Sequence, residues 1–472
     1  MIYFPSDRRI CRSVIACILG MCMGGFSATA TAQFETRSNS HVLSNPYSIA
    51  VADFNQDGKL DVAVTADMQI AVLLGNGDGT FKKPVYYASQ GNQVIAADLR
   101  HNGVLDLIAA LPLSDNISVM LGNGDGTFAA PASYPTVAQP WVVGVGDFNG
   151  DGLLDVVALT KGSVKCGCLE VLPGNGDGTF QSPVLTGPLD LSPDGMAVGH
   201  FNASRNLDVA ISGSSQVEIY TGNGDGTFTL GNTYVMASAP GSIATSSFRN
   251  NGKLDLAVAL PFSGEVAILL GNGDGTFDQG ANLSGSFASA VQTGDFNGDG
   301  KPDVVILTGF QSSSVTTFLG NGDGTFQPGM SYPISGSPSF VGVGDFNGDR
   351  KQDLAVTDYS QNSVITLLNT GTVSFSPTTP LNFKKQAVGT TSAAQKVRLT
   401  NSAKTELKIS SMTASTQFGM TSTCGKSILA GASCTISVTF SPTSKGAKSG
   451  TVTINDSASS KPQVIEFSGT GT

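Results

Sequence analysis

The sequence predicts an all-β protein, a seven-bladed β-propeller followed by an immunoglobulin-like β-sandwich. Three observations support this fold class. The heptapeptide Gly-Asn-Gly-Asp-Gly-Thr-Phe occurs six times at a near-constant spacing. Charged residues make up 13% of the chain and glycine accounts for 58 of its 472 residues, as in turn-rich proteins. Long stretches with helical periodicity are missing. A unit repeated at this length is typical of propellers and solenoids, in which neighbouring units bury one another.

The heptapeptides end at Phe81, Phe128, Phe180, Phe228, Phe277 and Phe326, which lie 47 to 52 residues apart. A degenerate copy at Asn369 to Phe375 and the isolated Phe34 extend the array to seven units. Asn-Gly and Asp-Gly supply the positive-φ residues that tight hairpins need, so we interpret the heptapeptide as a turn. The alternative is that its aspartates, such as Asp78 and Asp125, contact a metal or ligand.

Each unit reads as four strands, exemplified by Val142 to Gly146 and Leu154 to Leu159 for the first two. The fourth strand, such as Phe128 to Tyr134, contains proline and is predicted to be an outer edge. The segment from Gln33 to Val42 matches a fourth strand and should complete the blade that ends near Phe375, giving a propeller over residues 33–375. A linear β-solenoid is the alternative.

Acidic loops between the first and second strands carry the candidate chemistry. The spacing D-x-N-x-D-G-x-x-D places oxygen side chains at positions 1, 3, 5 and 9, with a glycine at position 6 for a sharp turn and a backbone carbonyl at position 7. These are hard oxygen ligands of the kind that calcium prefers. The predicted calcium ligands are Asp53, Asn55, Asp57 and Asp61; Asp147, Asn149, Asp151 and Asp155; Asp295, Asn297, Asp299 and Asp303; and Asp345, Asn347, Asp349 and Asp353.

Four units depart from this pattern at one or more positions. The seventh has Arg350 in place of the turn glycine, which leaves the geometry of its loop open. The second, fourth and fifth units depart from the pattern and are predicted to bind no metal. Arg100 and Arg249 stand at position 3 of the second and fifth loops. Either the guanidinium pairs with Asp106 or Asp255 in place of a cation, or the arginine is simply exposed.

The acidic loop and the hairpin together resemble the FG-GAP/VCBS repeats of integrin α-subunit propellers and of many secreted bacterial proteins, over about residues 34 to 375. The resemblance implies a calcium-bearing seven-bladed propeller with a role in adhesion or in protein or carbohydrate recognition.

Residues 376–472 change to a Ser-, Thr- and Lys-rich composition with short alternating runs that predict a β-sandwich. Leu381-Asn382-Phe383, Leu399-Thr400-Asn401 and Phe440-Ser441-Pro442 resemble segments of the ASPM/Hydin-type immunoglobulin-like domains, also called choice-of-anchor D modules. Such modules are usually spacers or interaction domains.

Residues 1–32 read as a signal peptide cleaved near Ala32, so the protein is predicted to be secreted, either extracellular or periplasmic. No later segment is long and apolar enough to predict a membrane span. Four cysteines remain after cleavage. Cys424 and Cys434 are predicted to form a disulfide, whereas Cys166 and Cys168 are either a local disulfide or free thiols.

The leading functional prediction is a recognition or adhesion protein with an extracellular protein or glycan ligand. Residues 1–375 carry a formal charge of −17 against +7 for the remainder, which argues against nucleic-acid binding. The protein is predicted not to be an enzyme, because only three histidines occur and the carboxylates are explained as metal ligands. A polysaccharide hydrolase or lyase and a passive spacer are the alternatives. Glycan binding is weakened because Trp141 is the only tryptophan, although Tyr87, Tyr134, Tyr234 and Tyr332 could contact a sugar.

Overall fold

A computed structural model describes residues 34–472 apart from 90, 162–166, 190–191, 286, 310–312, 372, 377–380, 402–405 and 458–462. The predicted signal peptide, residues 1–32, and Cys166 lie outside the described residues. Within them the protein is all-β, with strands and turns and no helix. The chain divides into a larger compact unit, Ala30–Ser374, and a smaller one that includes Phe375–Thr400 and Leu407–Thr472.

The larger unit contains seven separate antiparallel sheets, one for each predicted repeat, and in six of them the strand order follows the chain. Each first strand ends at an acidic loop, and each last strand is an outer edge, as predicted. The fifth sheet has an additional short strand, β22, paired with β20. The strands are β2 (Pro46–Ala52), β3 (Asp61–Ala66), β4 (Gln69–Leu73) and β5 (Val85–Ala88); β6 (Gln93–Ala97), β7 (Asp106–Leu111), β8 (Asn116–Met120) and β9 (Ala132–Pro135); β10 (Gln139–Gly146), β11 (Asp155–Lys161), β12 (Leu169–Leu172) and β13 (Val184–Thr186); β14 (Pro193–Gly199), β15 (Asp208–Gly213), β16 (Gln216–Gly222) and β17 (Phe228–Val235); β18 (Ile243–Ser246), β19 (Asp255–Leu260), β20 (Glu265–Gly271), β21 (Phe277–Gln279) and β22 (Leu283–Ser284); and β23 (Ala288–Gly294), β24 (Asp303–Thr308), β25 (Ser314–Phe318) and β26 (Met330–Pro333).

The seventh sheet joins the two ends of the array. Strand β1 (Phe34–His41) pairs antiparallel with β29 (Ser363–Asn369), which follows β27 (Pro338–Gly344) and β28 (Asp353–Asp358). The N-terminal segment therefore supplies the fourth strand, as predicted. Phe375 differs from its prediction, because β30 (Val373–Ser376) pairs within the smaller unit, and Phe34 packs instead where the seventh hairpin phenylalanine would lie.

Neighbouring sheets share their apolar cores, which is why no repeat is self-sufficient. One core joins Ala63 and Ile70 of the first unit to Leu107 and Met120 of the second, and corresponding cores follow around the array. Another joins Val62 to Ala355 of the seventh unit. Contacts between first strands also run from β2 through every unit to β27 and return to β2.

The heptapeptide of each unit packs against the unit before it. In five of the six heptapeptides the phenylalanine packs edge-on against the phenylalanine at position 2 of the preceding loop, as in the Phe54–Phe128 pair, whose ring centroids lie 5.5 Å apart. The Gly126 N–H donates to the Phe54 carbonyl at 3.2 Å, beside the same contact. Ring contacts of this kind recur at Phe346–Phe81, Phe148–Phe228, Phe201–Phe277 and Phe248–Phe326. The loop before Phe180 has Leu99 at that position.

The smaller unit has two sheets, of four and five strands. Rings of Phe383 and Phe467 from the second sheet contact Phe418 and Phe440 from the first, so the two sheets share an aromatic core. Cys424 and Cys434 form a disulfide with 4.9 Å between their Cα atoms, which confirms that prediction. The first sheet contains β30, β32 (Gln395–Asn401), β36 (Ser433–Phe440) and β34 (Phe418–Ser422), and the second contains β31 (Leu381–Gln386), β38 (Gln463–Gly471), β37 (Gly446–Asp456), β33 (Leu407–Ala414) and β35 (Ser427–Ile428).

Candidate functional site

The four acidic loops share one hydrogen-bonding frame at the ends of the first strands. In the first loop, the Gly58 N–H donates to Asp53 Oδ2 at 2.8 Å, the Asp57 N–H to Asn55 Oδ1 at 3.0 Å, and the Lys59 N–H to Asp57 Oδ1 at 3.0 Å. The same three bonds recur in the loops that begin at Asp147, Asp295 and Asp345. Side-chain oxygens at positions 1, 3 and 5 are thus held on the inside of one tight turn.

Arg350 adopts the conformation of the glycine that it replaces. Its φ is 70°, close to the 79° of Gly58, and its N–H reaches Asp345 Oδ2 at 2.7 Å. A non-glycine residue in the left-handed region costs roughly 1–2 kcal/mol. The seventh loop therefore keeps the hydrogen-bonding frame of the other three, although Arg350 is strained.

The aspartate at position 9 connects the loop to the hairpin of its own unit. Asp61 is fully buried, with its Oδ2 accepting the Phe54 N–H at 2.9 Å and its Oδ1 accepting the Gly75 N–H at 2.7 Å. A side chain at Gly75 would collide with the Leu60 carbonyl, which explains the glycine that opens the heptapeptide. All seven position-9 aspartates are fully buried, namely Asp61, Asp106, Asp155, Asp208, Asp255, Asp303 and Asp353.

Negative charge accumulates in the four acidic loops. The pKa of Asp303 is raised to about 7, chiefly by burial and also by the nearby Asp299 and Asp295, although hydrogen bonds from Gly320 and Phe296 lower it. Burial likewise raises the pKa of Asp61 to about 6, that of Asp353 to about 7, and that of Asp155, each beside the two other carboxylates of its loop. These loops therefore favour an added positive charge.

In the second, fourth and fifth loops, the side chain at position 3 contacts the buried position-9 carboxylate. Arg100 lies 2.6 Å from Asp106, and Arg249 lies 2.8 Å from Asp255, so both predicted ion pairs form. Each guanidinium also donates to the carbonyl of the first hairpin glycine. In the fourth loop, Asn202 Nδ2 donates to Asp208 Oδ1 at 3.1 Å. The space beside the position-9 carboxylate thus admits a cationic group.

The sixteen predicted ligands lie in four separate turns, each with the same frame. Within the described part of the chain, no group of three or more His, Cys, Asp or Glu side chains is arranged as a metal-binding cluster. The carboxylates of these loops accept backbone N–H groups of their own turns. Lysines also approach the position-5 carboxylate in three of these loops, at 3.8 Å for Lys59, 3.5 Å for Lys301 and 3.7 Å for Lys351.

The heptapeptide aspartates have a structural role. Asp78 Oδ1 accepts the Thr80 N–H at 3.0 Å and the Thr80 hydroxyl at 2.6 Å, and the other hairpins repeat this arrangement. Thr80 Oγ1 in turn accepts from Asn76 Nδ2 at 2.9 Å. The turn interpretation of the heptapeptide is therefore confirmed.

A cavity of about 400 Å³ opens at the other end of the first strands, and residues from all seven units line it. Its walls include Tyr47, Gln93, Trp141, Asp194 and Gln292. Sequence reasoning missed this site, because its residues come one or two at a time from different repeats and form no motif. The lone Trp141, where a repeat departs from its neighbours, was the available signal.

The four tyrosines considered as sugar contacts pack between units instead. The Tyr87 hydroxyl accepts the Phe128 N–H at 3.0 Å, and its ring lies edge-on to Phe128 with centroids 5.7 Å apart. Similar ring contacts hold the other three, at Tyr134–Phe180, Tyr234–Phe277 and Tyr332–Phe34.

Comparison with family models identifies both parts of the chain. Residues 53–109, 102–158, 248–306 and 295–356 match the FG-GAP-like repeat, and residues 371–464 match the ASPM-SPD-2-Hydin domain of abnormal spindle-like microcephaly-associated proteins. The chain therefore contains FG-GAP-like repeats and a C-terminal ASPM-SPD-2-Hydin domain. A search of curated proteins finds no match.

Solved structures with similar folds cover 64% to 71% of this chain. BBS1N in complex with ARL6DN has 12% identity and a TM-score of 0.52, over 71% of this chain and 97% of that chain. A protein from Lactobacillus plantarum has 14% identity and a TM-score of 0.49, over 64% and 88%. An Agrocybe aegerita lectin that recognises non-reducing terminal N-acetylglucosamine has 19% identity and a TM-score of 0.46, over 67% and 87%. The first of these supports a propeller-like all-β fold.

The described residues were also searched for membrane-crossing helices. None of sufficient length and apolarity is found among them.

Proposed function

We propose that the larger unit is a calcium-stabilised seven-bladed propeller of a secreted protein that binds an extracellular protein or glycan ligand without transforming it. Seven consecutive sheets with first-strand contacts that return from β27 to β2 support the blade count. The FG-GAP-like repeats and the propeller-like fold support a binding role. In this proposal the smaller unit is an immunoglobulin-like spacer or interaction domain of the choice-of-anchor D type.

One observation carries the calcium proposal. Where position 3 is Arg100 or Arg249, the guanidinium pairs with the buried carboxylate. Where position 3 is Asn55, Asn149, Asn297 or Asn347, the loop has a neutral residue there and two further carboxylates instead. In this proposal, a calcium ion in the four acidic loops takes the place that the guanidinium has beside the position-9 carboxylate.

Calcium fits the donor set of these loops. Each offers carboxylates at positions 1, 5 and 9, an amide oxygen at position 3 and a main-chain carbonyl at position 7, all hard oxygen ligands. The ion would neutralise the carboxylates and fix the turn, a structural contribution. The residues that would hold it in the third loop are Asp147, Asn149, Asp151 and Asp155, with the Leu153 carbonyl.

Recognition without turnover agrees with the chemistry of the described surface. His41, His101 and His200 are exposed, and none lines the central cavity. His200 Nδ1 lies 3.0 Å from the Asn206 carbonyl within its own loop. The position-9 aspartates are buried in hydrogen bonds to their own units. These groups therefore stabilise the fold and offer no evident acid–base pair.

Binding of the secreted chain to immobilised glycans and matrix proteins, with millimolar calcium or with excess chelator, tests the proposal. Saturable binding that chelator weakens, with the ligand recovered unchanged, is the expected result. Release of a cleaved product from any polysaccharide or peptide would refute the absence of turnover.

A further inference from the structure

Residues from β-bulges that recur in the first strands line the central cavity. In five units the pairing of the first strand with the second is interrupted by a β-bulge near its start. Bulges redirect side chains and are frequent beside functional sites. The residues within these bulges all line the cavity: Tyr47 and Ser48, Trp141, Asp194, Ser289 and Ser339.

The residue types at this position differ between units, although the loops and hairpins at the opposite end repeat closely. Tyr47, Trp141 and Asp194 come from the first, third and fourth units, whereas Ser289 and Ser339 come from the sixth and seventh. Phe262, which is 80% exposed, adds a further aromatic ring from the fifth unit. The cavity therefore presents both aromatic rings and hydroxyl groups to a ligand.

Hydrogen bonds between units hold the polar wall in place. The Val143 N–H donates to Gln93 Oε1 at 2.6 Å, which leaves the Gln93 NH₂ group available. Asn92 Nδ2 donates to the Trp141 carbonyl at 3.2 Å, and the Ser339 hydroxyl donates to the Pro46 carbonyl at 2.9 Å. Such a preformed wall lowers the entropic cost of ligand binding.

The charges around the cavity select a neutral ligand. Lys161 Nζ lies 2.7 Å from Asp194 Oδ1 and 4.1 Å from the centroid of the Trp141 ring. The Asp194 carboxylate thus already has a counterion, and Lys161 already lies over one face of the Trp141 indole as its cation. No lysine or arginine is among the described residues that line the cavity, so an anionic ligand would lack a counter-charge.

We infer that this cavity binds a neutral saccharide, in a site whose ligand class rests on the recognition function proposed above. Sugars combine apolar C–H faces, which stack on aromatic rings, with hydroxyl groups that need donors and acceptors. Tyr47, Trp141 and Phe262 supply the rings, while the Gln93 and Gln292 amides and the second Asp194 oxygen supply the polar partners. The volume of about 400 Å³ lies within the range of small-molecule sites.

Trp141 is the only tryptophan in the chain, so its fluorescence reports on this site alone. The full secreted chain is titrated with glucose, galactose, mannose, their N-acetylated amino sugars, cellobiose and lactose. Glucuronate, glucose 6-phosphate and choline serve as charged comparisons. At least one neutral sugar should change the emission saturably, with the affinity checked by calorimetry, and the charged compounds should not.

Two cavity variants and one matched control locate the site. Tyr47→Ala and Gln292→Ala should each weaken the binding of that sugar about tenfold or more. Tyr86→Ala, at a similarly exposed tyrosine on the outer strand β5, should leave the affinity unchanged. Each variant is used only if its melting temperature matches that of the natural chain, and Tyr47→Phe provides a conservative replacement that retains the ring.

The outcomes separate this inference from the calcium proposal. If no neutral sugar changes the Trp141 emission, if the charged compounds bind instead, or if Tyr47→Ala and Gln292→Ala bind normally, the saccharide site is refuted. Melting with calcium and with chelator is measured on the same samples. A calcium-dependent midpoint without sugar binding would refute only the saccharide site, whereas sugar binding without any effect of calcium would refute only the metal proposal.

Discussion

The residue at position 3 of the acidic loop determines how the buried aspartate at position 9 is stabilised. Asp106 and Asp255 have no exposed side-chain surface, and the arginines beside them are only 22% exposed. The sequence offered two interpretations of these arginines, and the structure supports the ion pair. The spacing could predict the arginine–aspartate pair because positions 3 and 9 belong to the same loop. The second bond of each guanidinium, to the carbonyl of the first hairpin glycine, could not be predicted because that glycine lies beyond the loop.

Replacing Arg249 by methionine should destabilise the larger unit by about 3 kcal/mol, because it leaves the buried Asp255 carboxylate without a counterion. Chemical unfolding measures the change. Arg37→Met is the control, since the Arg37–Asp78 pair is exposed at both side chains and should contribute little to stability. Adding Asp255→Asn to Arg249→Met should recover part of the loss. Equal effects of Arg249→Met and Arg37→Met would contradict this account.

The heptapeptide hairpin has a second role that its sequence did not reveal. Its turn chemistry was predictable from Asn-Gly and Asp-Gly, because local φ preferences determine it. Its contact with the preceding acidic loop was not, since the Phe54–Phe128 pair joins residues of different repeats. The regular occurrence of a phenylalanine in both motifs follows from this interface.

Phe128→Ala should remove the ring between the first two units and lower stability by about 3 to 5 kcal/mol. A fall in the thermal midpoint of the larger unit is the readout. Phe262→Ala provides the control for loss of an aromatic ring, because Phe262 is 80% exposed whereas Phe128 is 7% exposed. Similar midpoints for the two variants would show that the interlocking rings contribute little.

The disulfide of the smaller unit should stabilise it by about 3 kcal/mol, because it closes a loop between cysteines ten positions apart. Peptide mapping without reductant should recover Cys424 and Cys434 in one linked species. The double variant Cys424→Ser/Cys434→Ser should lower the stability of this unit and leave the calcium response of the larger unit unchanged. Recovery of both residues as free thiols from secreted protein would refute the bond in solution.

Strand prediction in the smaller unit depended on local alternation. Five alternating runs predict strands there, and they correspond to β32, β33, β36, β37 and β38: Lys396 to Asn401, Leu407 to Met412, Thr435 to Phe440, Gly450 to Ile454 and Val464 to Gly469. The strands β31, β34 and β35 were not predicted individually, and pairing with neighbouring strands determines them. The boundary between the units shows the same limit, since Phe375 follows the repeat period but its strand pairs in the smaller unit.

Across the larger unit, the repeat period was enough to predict seven sheets and the return of the N-terminal strand to the last one. Period and composition could do this because each repeat must bury its faces on neighbours, and β1 supplies the strand that the seventh unit lacks. The central cavity could not be predicted in this way. Its lining combines residues from every unit, and their convergence depends on the arrangement of all the first strands.

The calcium proposal applies to the whole of this unit, because its four loops are distributed over the first, third, sixth and seventh sheets. With dissociation constants of about 10⁻⁴ to 10⁻³ M, about 1 mM calcium would add roughly 0.4 to 1.4 kcal/mol per site. Four independent sites would add about 2 to 6 kcal/mol in total. The third loop should depend most on the ion, because Leu153 stands where the others have a lysine.

Thermal melting of the secreted chain with millimolar calcium and with excess chelator, together with a count of bound metal, tests the central claim most directly. The account predicts about four calcium ions per chain and a higher midpoint with calcium. Asp151→Ala and Asp299→Ala should each lose one ion and part of that rise, whereas Asn202→Ala, in a loop without the acidic set, should keep the full rise. Equal midpoints with and without calcium, and fewer than about two bound ions, would show that the acidic loops are turns alone.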